Sequence, residues 1–484
     1  MNKKSIKKNY IYNLAYQILI LIVPLITTPY ISRVLGAERV GDVSYVESIV
    51  AYFVLFGTPG VAILGQREIS YAQDDIEKRT KVFWDIKALE MITSFTALIC
   101  YCIFSSFQNN KALYFAMAFT VLATVVDVSW FFQGMEEFGK IILRNFIIKL
   151  ANVIYILTFI KGEEDTLKYV LGLTIFSFLA NASLWGYLPK YVNKPKLNQL
   201  QPFKYLYAAI LLFLPTIATR VYTVLDKTMI GVITKESAQN GYYELAMRAS
   251  KLVLSVVTAI GTVMIPRIGY HFNKGEKDVI EDLMYKSYRA VMLISVPLCL
   301  GLVFTADNFV PWFFGEGYDE VALLLKILAW LIIAIGLSTI TGTQYMVPTK
   351  RQNWLTISVC IGAVVNFSLN IVMISLFKSE GAAIASIIAE SAVTASQFIM
   401  VRKEISFITV MKNSAKYIVS GMVMSFALAL EGRVLSSSII NTILMVLTGI
   451  VVYVGMVVVL RDEYSIKLLQ EVKAKIVNKV LKDR

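Results

Sequence analysis

Apolar runs of about 20 residues recur from one end of this chain to the other, each long enough to cross the ~30 Å of hydrocarbon in a bilayer. They fall over 11–32, 42–66, 82–106, 111–134, 141–160, 167–189, 205–232, 242–266, 289–310, 320–347, 353–377, 381–401, 416–431 and 438–460. A single soluble core has no use for so many runs of that length. In hydrocarbon a helix satisfies its own backbone polar groups. The expected fold is therefore an all-α integral membrane protein of about fourteen transmembrane helices, with almost nothing outside the bilayer. Composition agrees: the 484 residues are 57% hydrophobic and only 17% charged, against about 25% charged in soluble domains.

The net charge of +13 would suggest nucleic acid in a soluble protein. Here the Lys and Arg residues collect in alternate loops, about 32 on one side and about 8 on the other, which is a positive-inside bias and implies no nucleic-acid partner. The basic start, with Lys3, Lys4, Lys7 and Lys8, reads as a cytoplasmic tail before the first span, and both termini are expected inside the cytoplasmic membrane. The opposite loops are short, and one is acidic (Glu163, Glu164, Asp165). The 267–288 loop is long enough for one short surface helix, and 466–484 reads as an amphipathic basic helix on the inner leaflet. Cys100, Cys102, Cys299 and Cys360 all sit in apolar runs and read as buried thiols. Neither they nor the lone His271 forms a metal-type spacing, so no metal site is expected.

The first and seventh spans share a pattern, Pro24-x-Ile26-x-Thr28 and Pro215-x-Ile217-x-Thr219. The second and eighth end alike, on Gly60 then Arg67 and Gly261 then Arg267. These matches hint at two parallel six-helix halves, an architecture in which transporters place substrate between the halves. The expected domains are a lobe over 1–204, a second lobe over 205–403, and two extra helices with a basic tail over 404–484. Pro24, Pro29, Gly57 through Gly60, and Pro215 interrupt spans and read as hinges or kinks.

Ionisable residues within spans are costly and therefore informative. The seventh span carries Arg220, Asp226 and Lys227, and the eighth carries Glu244, Arg248 and Lys251 at i, i+4 and i+7, on one face. Arg33 lies at the outer end of the first span. Two readings compete: the groups pair off, Asp226 with a neighbouring helix and Glu244 with Arg248, or uncompensated cations face a wet cavity and hold an anion. Guanidinium and ammonium groups match phosphate oxygens, so Arg220, Arg248, Lys227, Lys251 and Arg33 are the expected substrate-binding residues. Asp127, Glu47, Asp226 and Glu390 are the candidates for a coupling ion or proton. Asp85, Lys87 and Lys149 read as anchors near the cytoplasmic side. No catalytic group is expected.

The block NYIYNLAYQILILIVPLITTPYISRVLGAERVGDVSYVESIVAYF over 9–53 resembles the N-terminus of Wzx-type polysaccharide repeat-unit flippases, as does GQREISYAQDD over 65–75. LDKTMIGVITKESAQNGYYELAMRASK over 225–251 and MIPRIGYHFNKGE over 264–276 are also similar. Glu38, Arg39 and Asp42 depart from the small or apolar residues usual there. The resemblance implies the multidrug/oligosaccharidyl-lipid/polysaccharide exporter fold: two six-helix lobes around a central cavity, plus two C-terminal helices. The implied cargo is an oligosaccharide repeat unit on undecaprenyl diphosphate, flipped by alternating access for capsule, exopolysaccharide or O-antigen export. The implied partners are that lipid-linked oligosaccharide, membrane lipids, a polysaccharide polymerase and glycosyltransferases. No cofactor is expected, and any coupling is to a proton or sodium gradient. A cation-coupled drug antiporter of the same fold is the alternative, with Asp127 or Glu47 at its heart. A membrane-embedded polymerase or ligase is a further one, disfavoured by the short outer loops.

Overall fold

A 55-residue helix would be about 80 Å long if straight, far more than a bilayer is thick, and the first helix of this protein, α1 (Lys3–Gly57), has that length. It breaks at Gly36, whose backbone is non-helical at φ 74°, ψ 167°, a positive φ that glycine adopts readily. The computed structural model describes the backbone over 3–261, 264–462, 464–466 and 470, with side chains undescribed at 3–18, 197, 214–216, 218–222, 260 and 261. The amphipathic tail expected over 466–484 lies almost wholly outside the described residues.

The chain forms two compact units, Met1–Glu244 and Leu245–Arg484. The helix at 206–234 thus falls with the first unit, whereas the sequence reading began its second lobe at 205. In the first unit α1 is followed by α2 (Val61–Ser70), α3 (Ile76–Ser106), α4 (Lys111–Val125), α5 (Ser129–Gly134), α6 (Phe138–Phe159), α7 (Thr166–Ser183), α8 (Leu206–Thr234) and the start of α9 (Ser237–Gly261). The second unit holds the rest of α9, then α10 (Ile265–Asn273), α11 (Lys277–Phe314), α12 (Asp319–Leu328), α13 (Leu331–Thr339), a π-helical stretch (Ile340–Met346), α14 (Gln352–Met400), α15 (Phe407–Val434) and α16 (Ile439–Val459).

Among the described residues every regular element is helical, and ten helices are long and apolar enough to cross a membrane. Two of the ten, α1 and α14, each carry a pair of expected spans. In α14 the break is at Phe377 and Lys378. A Cβ on Gly381 would stand 2.0 Å from the Met373 carbonyl oxygen, although eight residues along a straight helix span about 12 Å. The helix therefore folds back on itself there. α8 and α9, which carry four of the five basic residues expected to bind substrate, are not among the ten.

Helix starts follow capping chemistry. Asp75 accepts hydrogen bonds from the Glu77 and Lys78 amides, at 2.9 and 3.0 Å, and Ser438 accepts one from Asn441 at 3.1 Å. Just ahead of α7, Asp165 accepts from the Lys168 ammonium at 2.6 Å and from the Lys161 amide at 2.8 Å.

The core of the first unit gathers Phe83, Ile86, Trp130, Phe131 and Phe132. The core of the second runs through Tyr288, Met292, Val296, Tyr417 and Met424. Large apolar side chains such as Ile154, Val364, Leu376 and Val451 stay exposed along the long helices, as expected for a surface solvated by acyl chains. The four expected buried thiols are corrected in part: Cys299 is buried, but Cys100 and Cys360 are exposed on helix surfaces. A helix within an apolar run has a lipid face as well as a protein face.

The predicted interruption at 57–60 is present. α1 ends at Gly57, and Gly60 takes φ +63° before α2. The freed Gly57 carbonyl accepts from Thr93 Oγ1 at 2.7 Å and from Ser94 Oγ at 2.9 Å, both on α3, so the break keeps its backbone satisfied. Pro24 and Pro29, by contrast, lie within continuous helix. The span expected over 111–134 is present as Lys111–Gly134, but its helix parts between α4 and α5, around Val126–Val128.

Candidate functional site

Ser44, Glu47, Ser48 and Tyr52 form an i, i+3, i+4, i+8 stripe on α1, and this stripe meets Lys227 and Thr228 of α8. Thr228 Oγ1 donates to Ser48 Oγ at 2.9 Å and lies 3.0 Å from the Tyr52 hydroxyl. The Lys227 ammonium is 2.5 Å from Glu244 on α9 and 3.9 Å from Glu47. Ser44 Oγ is also within 3.5 Å of the Glu244 carboxylate. One residue earlier, Asp226 accepts a 2.5 Å hydrogen bond from the Tyr243 hydroxyl. Lys227 and Glu244 are largely buried, at 15% and 7% side-chain exposure, and Glu47 is 55% exposed.

Lys227 therefore carries its own counter-ion, which corrects the expectation of an uncompensated cation at this position. An anion reaching Lys227 competes with Glu244. Glu244 thus bridges to α8, a partner the pairing reading did not name. Asp226 finds a partner on a neighbouring helix, as that reading expected, in Tyr243.

Arg248 and Lys251 lie four and seven residues beyond Glu244 on the same helix, in the second unit. Arg248 is half-buried and Lys251 exposed. Arg33 is exposed on α1, just before the Gly36 break. The Arg220 side chain lies outside the described residues, and Glu390 is half-buried on α14.

A second polar centre surrounds the α4–α5 break. Lys87 and Glu90 on α3 form a 2.7 Å ion pair at 0% and 4% exposure. The same ammonium donates to the Asp127 carbonyl at 2.6 Å, and Trp130 Nε1 donates to Glu90 at 3.2 Å. Neighbouring carbonyls are satisfied too: Val126 accepts from Trp185 Nε1 at 2.7 Å and Ala123 from Asn181 Nδ2 at 2.9 Å. The Asp127 carboxylate caps α5, accepting from the Ser129 amide at 2.8 Å and its hydroxyl at 2.6 Å. A cation at a helix C-terminus and a carboxylate at the next N-terminus both suit the helix dipoles. Lys87 is thus corrected from a surface anchor to half of a buried pair. The i, i+3 spacing of Lys87 and Glu90 inside an apolar run was the available signal.

Among the described residues no group of three or more His, Cys, Asp and Glu is placed to hold a metal ion. In the second unit a cavity of about 550 Å³ has almost wholly apolar walls, with Pro297 and Leu298 on α11, Met424 on α15, and Gly449, Tyr453 and Val457 on α16.

Comparison with known proteins agrees with these features. The profile of a family described as polysaccharide biosynthesis protein matches residues 6–272, and that of the lipid II flippase MurJ matches 150–455. An Escherichia coli (strain K12) protein provisionally named an O-antigen transporter is 23% identical over 420 residues, covering 83% of this chain and 98% of that one. The lipid II flippase MurJ of Bacillus subtilis (strain 168) is 23% identical over 354 residues, covering 66% of this chain and 65% of its own. Among solved structures, a lipid II flippase MurJ in an inward closed conformation superposes with a TM-score of 0.71 at 15% identity, covering 94% of this chain and 99% of that one. An inward-facing multidrug transporter of the MATE family gives 0.60 at 12% identity, covering 82% and 96%.

Proposed function

We propose, for a chain that belongs to the polysaccharide biosynthesis protein family and is a non-enzymatic flippase of the Wzx and MurJ type, that the cargo is an oligosaccharide repeat unit on undecaprenyl diphosphate. The chain is a multi-pass membrane protein. Its proposed setting is the cytoplasmic membrane with both termini inside, on the evidence of its loop charges. The proposed process is export of capsule, exopolysaccharide or O-antigen, beside a polymerase and glycosyltransferases.

The observation that carries this reading is the apolar cavity on α11, α15 and α16. A long prenyl chain needs a continuous apolar surface while its head group crosses, whereas a small water-soluble cargo does not. Arg220, Arg248, Lys227, Lys251 and Arg33 are the proposed contacts for the diphosphate, as charge-assisted donors to its oxygens. Alternating access about broken helices supplies the motion.

The coupling ion, proton or sodium, is assigned to the carboxylates Asp127, Glu47, Asp226 and Glu390. Glu47 and Glu244 lie within reach of Lys227, and carboxylates gathered in this way suit ion coupling. A cation-coupled drug antiporter would also use such carboxylates, and this feature favours that second reading.

Deletion of the gene tests the proposal. Lipid-linked repeat units should accumulate in the membrane while surface polysaccharide is lost, and the full chain should restore both. Normal polysaccharide with altered drug tolerance would favour the antiporter.

A further inference from the structure

Three turns of the first unit converge at one end: the α1 segment after Gly36, the α3–α4 turn and the α8–α9 turn. They enclose a cavity of about 250 Å³ lined by Asp42, Tyr45, Asn109, Tyr114, Lys235 and Asn240 among others. Its walls are held by very close backbone contacts. A Cβ on Gly41 would lie 1.7 Å from the Ser237 carbonyl oxygen, and one on Gly241 1.9 Å from that of Ala37. On Gly231 a Cβ would stand 2.2 Å from the Tyr45 ring. Glycine at these positions lets α1, α8 and α9 approach as closely as backbones allow.

One wall residue is out of balance. Asn240 is 0% exposed, yet neither its amide oxygen nor its amide nitrogen has a hydrogen-bond partner. A buried primary amide has two donors and an acceptor to satisfy, and leaving them unmet is expensive. Its position on the cavity wall supplies the explanation such a group calls for: a polar occupant.

The lining indicates which occupant. Amide side chains donate and accept, Lys235 donates, and the carboxylates of Glu236 and of Asp42, which already accepts from the Ser237 hydroxyl, line the same wall. Tyr45 and Tyr114 bring aromatic rings beside these polar groups. Mixed donors and acceptors with ring faces suit a polyhydroxylated ring better than an anion or an apolar group. The cavity of about 250 Å³ lies just below the ~300 Å³ at which drug-sized pockets begin, and it has more room than a single water needs.

We propose that this cavity is a saccharide subsite that takes one uncharged sugar residue of the cargo's glycan. Asn240 is the buried hydrogen-bonding anchor, and Asn109 and Lys235 lie at the same wall. The proposal rests on the cargo reading given above and deepens it. On the loop-charge orientation this end faces outward, so the subsite would engage the glycan as it emerges.

The test uses the full chain in lipid nanodiscs. The probe is the oligosaccharide released by mild acid from the lipid-linked fraction of the producing cells, titrated calorimetrically. The wild type should bind it, Asn240→Leu should weaken binding at least tenfold, and Asn109→Ala, at an exposed position, about threefold. No binding by the wild type, or wild-type affinity in the Asn109→Ala protein and any folded Asn240→Leu protein, would overturn the subsite. A separate titration of the wild type with undecaprenyl diphosphate decides the cargo reading, so the two failures are told apart.

Discussion

The Lys227 ammonium sits 2.5 Å from the Glu244 carboxylate, joining α8 to α9 beside the polar stripe of α1. The two residues are 17 apart in sequence, so the pair fixes the relative rotation of two helices. Removing one partner leaves a poorly solvated charge behind, which for buried pairs costs about 3–5 kcal/mol. Lys227→Met or Glu244→Leu alone should therefore lower thermal stability markedly, and the double variant should recover most of the loss. A double variant as unstable as the sum of the singles would mean that the pair is not coupled.

Lys87 and Glu90 provide a second, independent case. Their ion pair is essentially solvent-free and also caps the α4 C-terminus. Glu90→Leu is expected to cost on the order of 3–5 kcal/mol, measured as lost thermal stability in detergent, and Lys87→Met/Glu90→Leu should be milder. Unchanged melting of Glu90→Leu would count against the buried pairing.

Both pairs mark how far the sequence could be read. The spans, the break at Gly57–Gly60 and the charged faces around Asp226 and Glu244 were legible, because apolar run length and helical spacing are local properties. Glu244's pairing with Lys227 was not, since it depends on which helices become neighbours. The α4–α5 break was hidden for a related reason: no Pro or Gly marks it, and its carbonyls are rescued by Lys87, Trp185 and Asn181 from other helices. Asn240 lies between the expected spans 205–232 and 242–266, and close packing at Gly41 and Gly241 buries it.

That packing carries its own prediction. Gly41→Leu places a side chain where the Ser237 carbonyl already stands 1.7 Å from an ideal Cβ. Both groups are backbone-bound, so no rotamer relieves the clash. The variant should give little or no monodisperse protein by size-exclusion chromatography, and wild-type yield and melting would refute the contact.

Orientation is accessible to labelling. In a background with Cys100, Cys102, Cys299 and Cys360 replaced, a cysteine at Asn109 should react with a membrane-impermeant maleimide in intact cells. A cysteine at Lys274, in the basic α10–α11 turn, should react only after lysis. The reverse pattern would invert the topology.

Arg248→Ala should reduce cargo affinity by roughly 10- to 100-fold, since a hydrogen bond to a charged group contributes about 1.5–3 kcal/mol. Arg248→Lys should recover part of this, because an ammonium keeps the charge and loses the planar fork. Binding of undecaprenyl diphosphate at wild-type affinity by Arg248→Ala would remove this residue from the site.

The most direct measurement is transport in proteoliposomes containing only this protein and the producing cell's lipid-linked repeat unit. With the cargo loaded in the inner leaflet, an external glycosidase or lectin should detect its appearance outside at a rate well above protein-free vesicles, and Arg248→Ala should slow it at least tenfold. A rate equal to protein-free vesicles, with the protein folded and inserted, would contradict the account.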